Sequence, residues 1–463
     1  MRKITLSFLS MLAALLIFTG CGNGEPADTL PEGSYINGIE LSNFVIVYKD
    51  DGNGYNQHAA EYIQSEIKNR TEIELEVVKD ARFEAEYEIV VGETSRGIST
   101  RLDAQTEGMQ FSILAEEKQV ALEGDHFIIA AAAYYFIDTY VPTDNFKAEI
   151  PKEATVCDPI VKEAKNFILL IGDGMGPNQT KLFETMKNDR EFGDGEDMFY
   201  GYYFPYKGFS KTNNYNNEVT DSAAGGTALS SGYKTINGFV GQDRSRNKVR
   251  SLTEIAGILG KSTCVMSTEP STGATPASFS AHANNRDDTS DIISSQTKLK
   301  QIYGTIITCD FNKYTKAGIL DIEKRITKNL AELEKNENGF FLMYEEAHID
   351  KHCHNKDIKN TFSTVVRFNQ AIATFMEHAF YNPDTFVLIT ADHETGGLTY
   401  KNGKYSYTVS SHTGVDVPIF AYGDGAELFG GVTIENIQIP QTIADFMGVL
   451  EFGDPARYNP LTK

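Results

Sequence analysis

Apolar residues in the C-terminal two thirds of the chain fall into short unbroken runs. FILLIG (167–172), CVMST (264–268), FFLMY (340–344), FVLIT (386–390) and VPIFAYG (417–423) all have strand length and no polar face. A strand without a polar face is covered on both sides, as in a parallel sheet flanked by helices. Stretches with helical spacing, such as ILDIEKRITKNLAELEK, lie between the runs. Alternation of this kind predicts an α/β unit with a parallel, doubly covered sheet beginning at Asn166 and running to residue 463. The polar stretch 284–310 reads as a flexible surface excursion.

The pattern before Asn166 differs. FVIVY (44–48) and YEIVVGE (87–93) read as strands, and Ile73, Leu75 and Val77 alternate with glutamates as in a half-buried strand. Ala59, Ala60, Ile63 and Ile67 recur at helical spacing, and HFIIAAAAYYFIDTYV (126–141) predicts an apolar helix. MQFSIL and QVALEG, joined by AEEK, predict a hairpin. Residues 36–141 are therefore expected to form a small α/β domain. Residues 142–165, with three prolines and little periodicity, read as a linker.

The first 20 residues predict an export signal: Arg2 and Lys3 precede ITLSFLSMLAALLIFTG, which ends at Cys21. FTGC resembles a bacterial lipoprotein processing site, which implies a lipidated Cys21. Residues 21–35, rich in Gly, Pro and acids, would be a tether leading away from a membrane. The expected location is an exported, membrane-anchored lipoprotein on the cell surface or in the periplasm. Cys157, Cys264, Cys309 and Cys353 show no metal or redox spacing and are expected to be mostly free and buried. The net charge of −22 opposes nucleic-acid binding. It would also repel an anionic substrate unless bound cations reverse the field locally.

The ends of the apolar runs carry the candidate chemistry. Asp173, Glu345, Asp350, Asp392 and His393 follow closely on last apolar residues, where open α/β sheets bind ligands. Such repetition predicts a polynuclear metal site. Asp350 and His354 share one helix face at i, i+4, a spacing His348 and His352 also have. Thr275 and Glu345 offer oxygen to a hard cation such as magnesium. Ser222 opens a helix of small residues with Asp221 as its expected N-cap. No GxSxG elbow surrounds it, so its activation is expected from a metal. Arg286 offers a planar fork suited to phosphate.

IGDGMG, VTDSAAGGTA, YKTINGFVG, ATPASFSAH with the following Arg286, E-x4-D-K-x2-H, TADHETGG and SHTG occur in one order. That series resembles the alkaline phosphatase family over about 166–455. The resemblance implies a three-layer fold with a mostly parallel central sheet, and hydrolysis of phosphate monoesters through a phosphoserine at Ser222. It implies one zinc ion at Asp173, Asp392 and His393, a second at Asp350, His354 and His412, and magnesium at Asp173, Thr275 and Glu345. Arg286 would clamp phosphate, and Lys351 matches a position that contacts phosphate through water. Family spacing selects Asp350 with His354 over the His348 pair, and Glu345 over Glu346. Gly273 stands where relatives carry Asp or His near the magnesium. Short intervals between Arg286 and Glu345, and between His393 and His412, leave the oligomeric state open. The competing expectations are a phosphodiesterase with the same core and a surface binding protein with a degenerate site. Residues 36–141 are similar to the small α/β domain preceding some bacterial glycoside hydrolase domains.

Overall fold

The structure, a computed structural model, describes residues 32–462 except 51, 81–83, 103–105, 144, 187–197 and 311–315. The expected signal, Cys21 and most of the tether lie outside the described residues. Strands of the two large sheets are numbered here in chain order. The N-terminal sheet contains β1 (Phe44–Tyr48), β2 (Glu76–Lys79), β3 (Tyr87–Val91), β4 (Phe111–Ala115), β5 (Gln119–Glu123) and β6 (Thr155–Cys157), in the order β2-β1-β3-β5-β4-β6. Helices Tyr55–Thr71 and Ile129–Tyr140 pack together beside it. The segment read as a linker therefore contributes an edge strand, with Phe111 opposite Cys157.

The second sheet contains β7 (Asn166–Gly172), β8 (Tyr206–Lys211), β9 (Ser262–Ser267), β10 (Ile306–Cys309), β11 (Phe340–Glu346), β12 (Thr385–Thr390), β13 (Val417–Tyr422) and β14 (Thr433–Glu435). Its order is β10-β9-β11-β7-β12-β13-β8-β14. All strands run one way except β13, which is antiparallel to both β12 and β8. The expected surface excursion at 284–310 is helix Thr289–Tyr303 followed by β10, which pairs in parallel with β9.

Two-sided burial of the central strands sets the layers. Ile168, Leu170, Leu342, Tyr344, Val387 and Ile389 face helices Lys316–Leu333 and Ile358–Tyr381. Their neighbours Phe167, Leu169, Ile171, Phe341, Met343 and Leu388 face Leu229, Leu252, Phe279 and Ile443 on the other side. Period-2 alternation makes each run serve two cores at once. The first core extends without a break into the N-terminal unit. Phe127 stacks on Phe380 with centroids 6.0 Å apart, and Tyr62 stacks on Tyr381 at 4.3 Å. The Pro-rich stretch thus joins two sheets that share a core rather than two bodies held apart. Among the described residues no helix is long and apolar enough to cross a membrane.

Candidate active site

Sheet register gathers the acids. Ile171 and Gly172 of β7 lie opposite Glu345 and Glu346 of β11, and Ile171 also lies opposite Thr390 of β12. Ser267, at the end of β9, lies opposite Glu345. Asp173, Glu345 and Asp392 consequently emerge at one level, past the carboxyl ends of adjacent strands. Gly174 lets these loops close: its φ is +76°, and a Cβ there would lie 2.8 Å from the Asp350 Cα. Its N–H donates to Asp392 Oδ1 at 3.3 Å.

Glu345 and Glu346 point to opposite faces, as strand geometry requires. Ser267 donates its hydroxyl to Glu345 on the site side. On the other side Glu346 takes Arg367 Nε at 2.6 Å and a second Arg367 bond. His348 belongs with this second group, 3.1 Å from the Thr268 hydroxyl, while His354 turns into the site. The structure thus brings Asp350 and His354 together and sets His348 apart from them.

Ser222 is the first residue of helix Ser222–Ser231, and Asp221 caps that helix by accepting from Ala224 N at 2.9 Å. The Ser222 Oγ lies 3.3 Å from His393 Nε2 and is almost fully buried. The other Asp221 oxygen accepts from Arg286 NH1 at 3.2 Å, which fixes the guanidinium beside the same helix start.

The remaining groups form two clusters whose ligating atoms all lie within 4.8 Å of one another: Asp350 with His354 and His412, and Asp173 with Asp350 and His393. Asp350 belongs to both. Its Oδ1 sits 3.2 Å from His354 Nε2 and 3.5 Å from His412 Nε2, and accepts the Thr395 hydroxyl at 2.5 Å. Asp392 Oδ2 is 3.3 Å from His393 Nε2, so it joins the second cluster from the side. Backbone carbonyls orient two imidazoles: His354 Nδ1 meets Ser410 O at 2.7 Å, and His412 Nδ1 meets Thr220 O at 2.9 Å. Both rings then present Nε2 inward, a pattern seen around metal-ligating histidines.

Burial and crowding act on the titration of these groups. Burial, then Asp392 and Asp350, push Asp173 well above the carboxylate range. Burial and then Asp350 push Asp392 up to about 7. Burial also works to raise Asp350, but hydrogen bonds from His354 and His412 hold it well below its usual value. The hydrogen bond that His354 donates to Asp350 lifts His354 to about 9, while burial and then His412 push His393 far down. Asp173 Oδ1 and Asp392 Oδ2 are buried and accept no hydrogen bond, and Glu345 Oε1 is buried with only the Thr275 hydroxyl as company. Buried polar atoms normally find partners. Carboxylate oxygens left bare and packed together are a donor set for cations, so these residues fit divalent metals.

Every residue proposed from sequence lies in or beside this constellation. Lys351 is the least direct, since its Nζ donates to Glu269 Oε2 at 2.7 Å. Sequence reading passed over Thr395, which touches both Asp350 and His393, and Ser267 and Glu269, which stand beside Glu345 and Lys351. Thr395 lies inside TADHETGG, and that proximity was the only available signal. All four cysteines beyond residue 31 are free; Cys264 and Cys353 are buried and the other two half-buried.

A profile of the alkaline phosphatase family matches residues 164–320 and 321–411. Alkaline phosphatase 4 of Bacillus subtilis is 30% identical over 292 residues, which cover 51% of this chain and 63% of that protein. Alkaline phosphatase 3 of the same organism is 29% identical over 288 residues, covering 51% and 62%. The chain thus spans less than two thirds of the length of these relatives. The alkaline phosphatase of the Antarctic bacterium TAB5 superposes with a TM-score of 0.56 at 27% identity, covering 63% of this chain and 100% of that one. A variant of that enzyme, solved with magnesium in its M3 site, superposes with a TM-score of 0.53 at 26% identity over the same shares. The fold of the second sheet and its helices is alkaline-phosphatase-like, and the chain belongs to the alkaline phosphatase family.

Proposed function

We propose that the chain hydrolyses phosphate monoesters through a phosphoserine at Ser222. In this reading Asp173, Asp392 and His393 hold one zinc ion. Asp350, His354 and His412 hold a second, and Asp173, Thr275 and Glu345 hold magnesium. The observation that carries it is the set of bare, buried carboxylate oxygens converging beside a serine at a helix start. When bound, the ions supply the positive charge that activates the serine and water oxygens and neutralises the leaving oxygen.

The chain's own residues set the geometry of the displacement. Ser222 Oγ forms a bond to phosphorus as the ester oxygen departs and takes up a proton. Water then cleaves the Ser222–phosphate bond, releasing inorganic phosphate and restoring the hydroxyl. The helix start directs backbone N–H groups toward the phosphate oxygens. Asp221 occupies one corner of the Arg286 guanidinium, and a guanidinium has five N–H donors. The remaining donors suit the equatorial oxygens, where charge gathers in the transition state. His393, kept neutral by burial, offers an imidazole lone pair at the nucleophile's side.

The test uses an aryl phosphate monoester and the matching diester, with zinc and magnesium titrated separately. We expect monoester turnover that is lost with chelator and in Ser222→Ala. Preference for the diester overturns the substrate reading, and full activity in Ser222→Ala overturns the covalent route.

A further inference from the structure

We infer that Glu269 is the positioning residue of the magnesium corner in this chain, standing in for the side chain that Gly273 lacks. An ideal Cβ built on Gly273 lies 1.8 Å from Glu269 Oε1 and 2.2 Å from Glu269 Cδ. The Glu269 carboxylate therefore occupies the volume into which a side chain at 273 would grow. The two cannot coexist without rearrangement. An acid is delivered to one place from a backbone position four residues earlier.

The placement of Glu269 is fixed from several sides. Its N–H donates to Ser267 Oγ at 3.0 Å, and the same hydroxyl donates to Glu345. Its carbonyl accepts from Asp310 N at 2.8 Å. Its carboxylate accepts from Lys351 Nζ at 2.7 Å and is mostly shielded from solvent. Ser267 ties Glu269 to Glu345, which is fully buried, as is Thr275 two residues past Gly273. Glu269 also adds to the negative field at Glu345 and Asp173. Glu269 thus supplies a carboxylate to the rim of the corner and aims the Lys351 ammonium. Groups that orient metal ligands in this way are commonly worth about 10- to 100-fold in metal affinity.

The inference rests on the reading that Asp173, Thr275 and Glu345 hold magnesium, and its test separates the two. Zinc-loaded full-length protein is titrated with magnesium chloride alone by calorimetry, with thermal melts confirming folding. The proteins are wild type, Glu269→Ala, Glu269→Gln, Gly273→Asp and the double variant Glu269→Ala/Gly273→Asp. We expect Glu269→Ala and the volume-preserving Glu269→Gln each to weaken magnesium binding about 10- to 100-fold. Gly273→Asp alone should also bind poorly, because the two acids collide. The double variant should recover affinity, a rescue that a merely structural role for Glu269 would not produce. Wild-type affinity in both Glu269 variants, with magnesium still bound by wild type, overturns the inference alone. Absence of magnesium binding in wild type overturns the metal reading and the inference with it.

Discussion

Arg367→Met should be among the most damaging single substitutions outside the metal-facing residues. Arg367 and Glu346 are essentially inaccessible to solvent and face each other between β11 and helix Ile358–Tyr381. Glu346 also accepts from Thr268 Oγ1 at 3.0 Å and His348 N at 3.1 Å. Burial works to raise its pKa, but Arg367 and the hydrogen bonds bring it from 4.5 down to about 2. A displacement of that size corresponds to about 3 kcal/mol between the two protonation states. Removing one partner of a buried pair costs about 3–5 kcal/mol, because the other charge stays buried and unpaired. We therefore expect Arg367→Met to lower stability by about 3–5 kcal/mol at pH 8, read from urea midpoints with both metals present. The sign with pH follows from the depressed carboxyl. Its stabilisation is fully present above 4.5 and is lost as pH falls toward 2. The gap between wild type and variant should accordingly narrow in acid. Glu346→Gln combined with Arg367→Met should recover most of the loss, since neither charge is then stranded. A cost below about 1 kcal/mol for Arg367→Met would refute the argument, as that is the size expected of an exposed pair.

Three further outcomes can be checked. Burial pushes His378 down to about 4, and Glu334, 3.3 Å away but itself pushed up by burial, offsets little of this. The unfolded chain alone takes up that proton between pH 6.5 and 4, so His378→Gln should flatten the loss of stability on acidification by up to about 3 kcal/mol, and parallel urea curves would contradict it. Phe127→Ala removes a fully buried ring between the N-terminal unit and Phe380, and should cost about 3–5 kcal/mol of thermal or urea stability; an unchanged midpoint would show that the shared core carries no load. Cys21→Ser should move the protein from the membrane fraction to the soluble one, and unchanged membrane retention would count against lipidation.

What could be read in advance followed from burial. The central strands are apolar on both faces, so β7, β11 and β12 announced themselves, and the acids just past them marked the site. Elements with little apolar content stayed hidden. In β8 (YKGFSK) the inward positions are Gly208 and Ser210, which give no hydrophobic signal. Helix Thr289–Tyr303 buries only Ile292, Gln296 and Leu299, too few to stand out in a polar stretch. β6 is three residues long and only half-covered. The reversed direction of β13 leaves no trace in composition, because an apolar run reads alike either way. Glu269 was invisible for a different reason. Its place depends on the space that Gly273 leaves in three dimensions, and the sequence shows only a missing side chain.

The position of β7 at the middle of the sheet has a consequence for how the molecule is made. β7 is the first strand of its sheet to leave the ribosome, yet both hydrogen-bonding edges wait for partners at 340–346 and 385–390. Until then an apolar ribbon has two open edges, the form most prone to pairing with another chain. Closing such long loops is slow, because their entropy must be surrendered before the contacts repay it. The second sheet would therefore stay open through much of the chain's synthesis, and its early apolar strand would need shielding until its partners arrive.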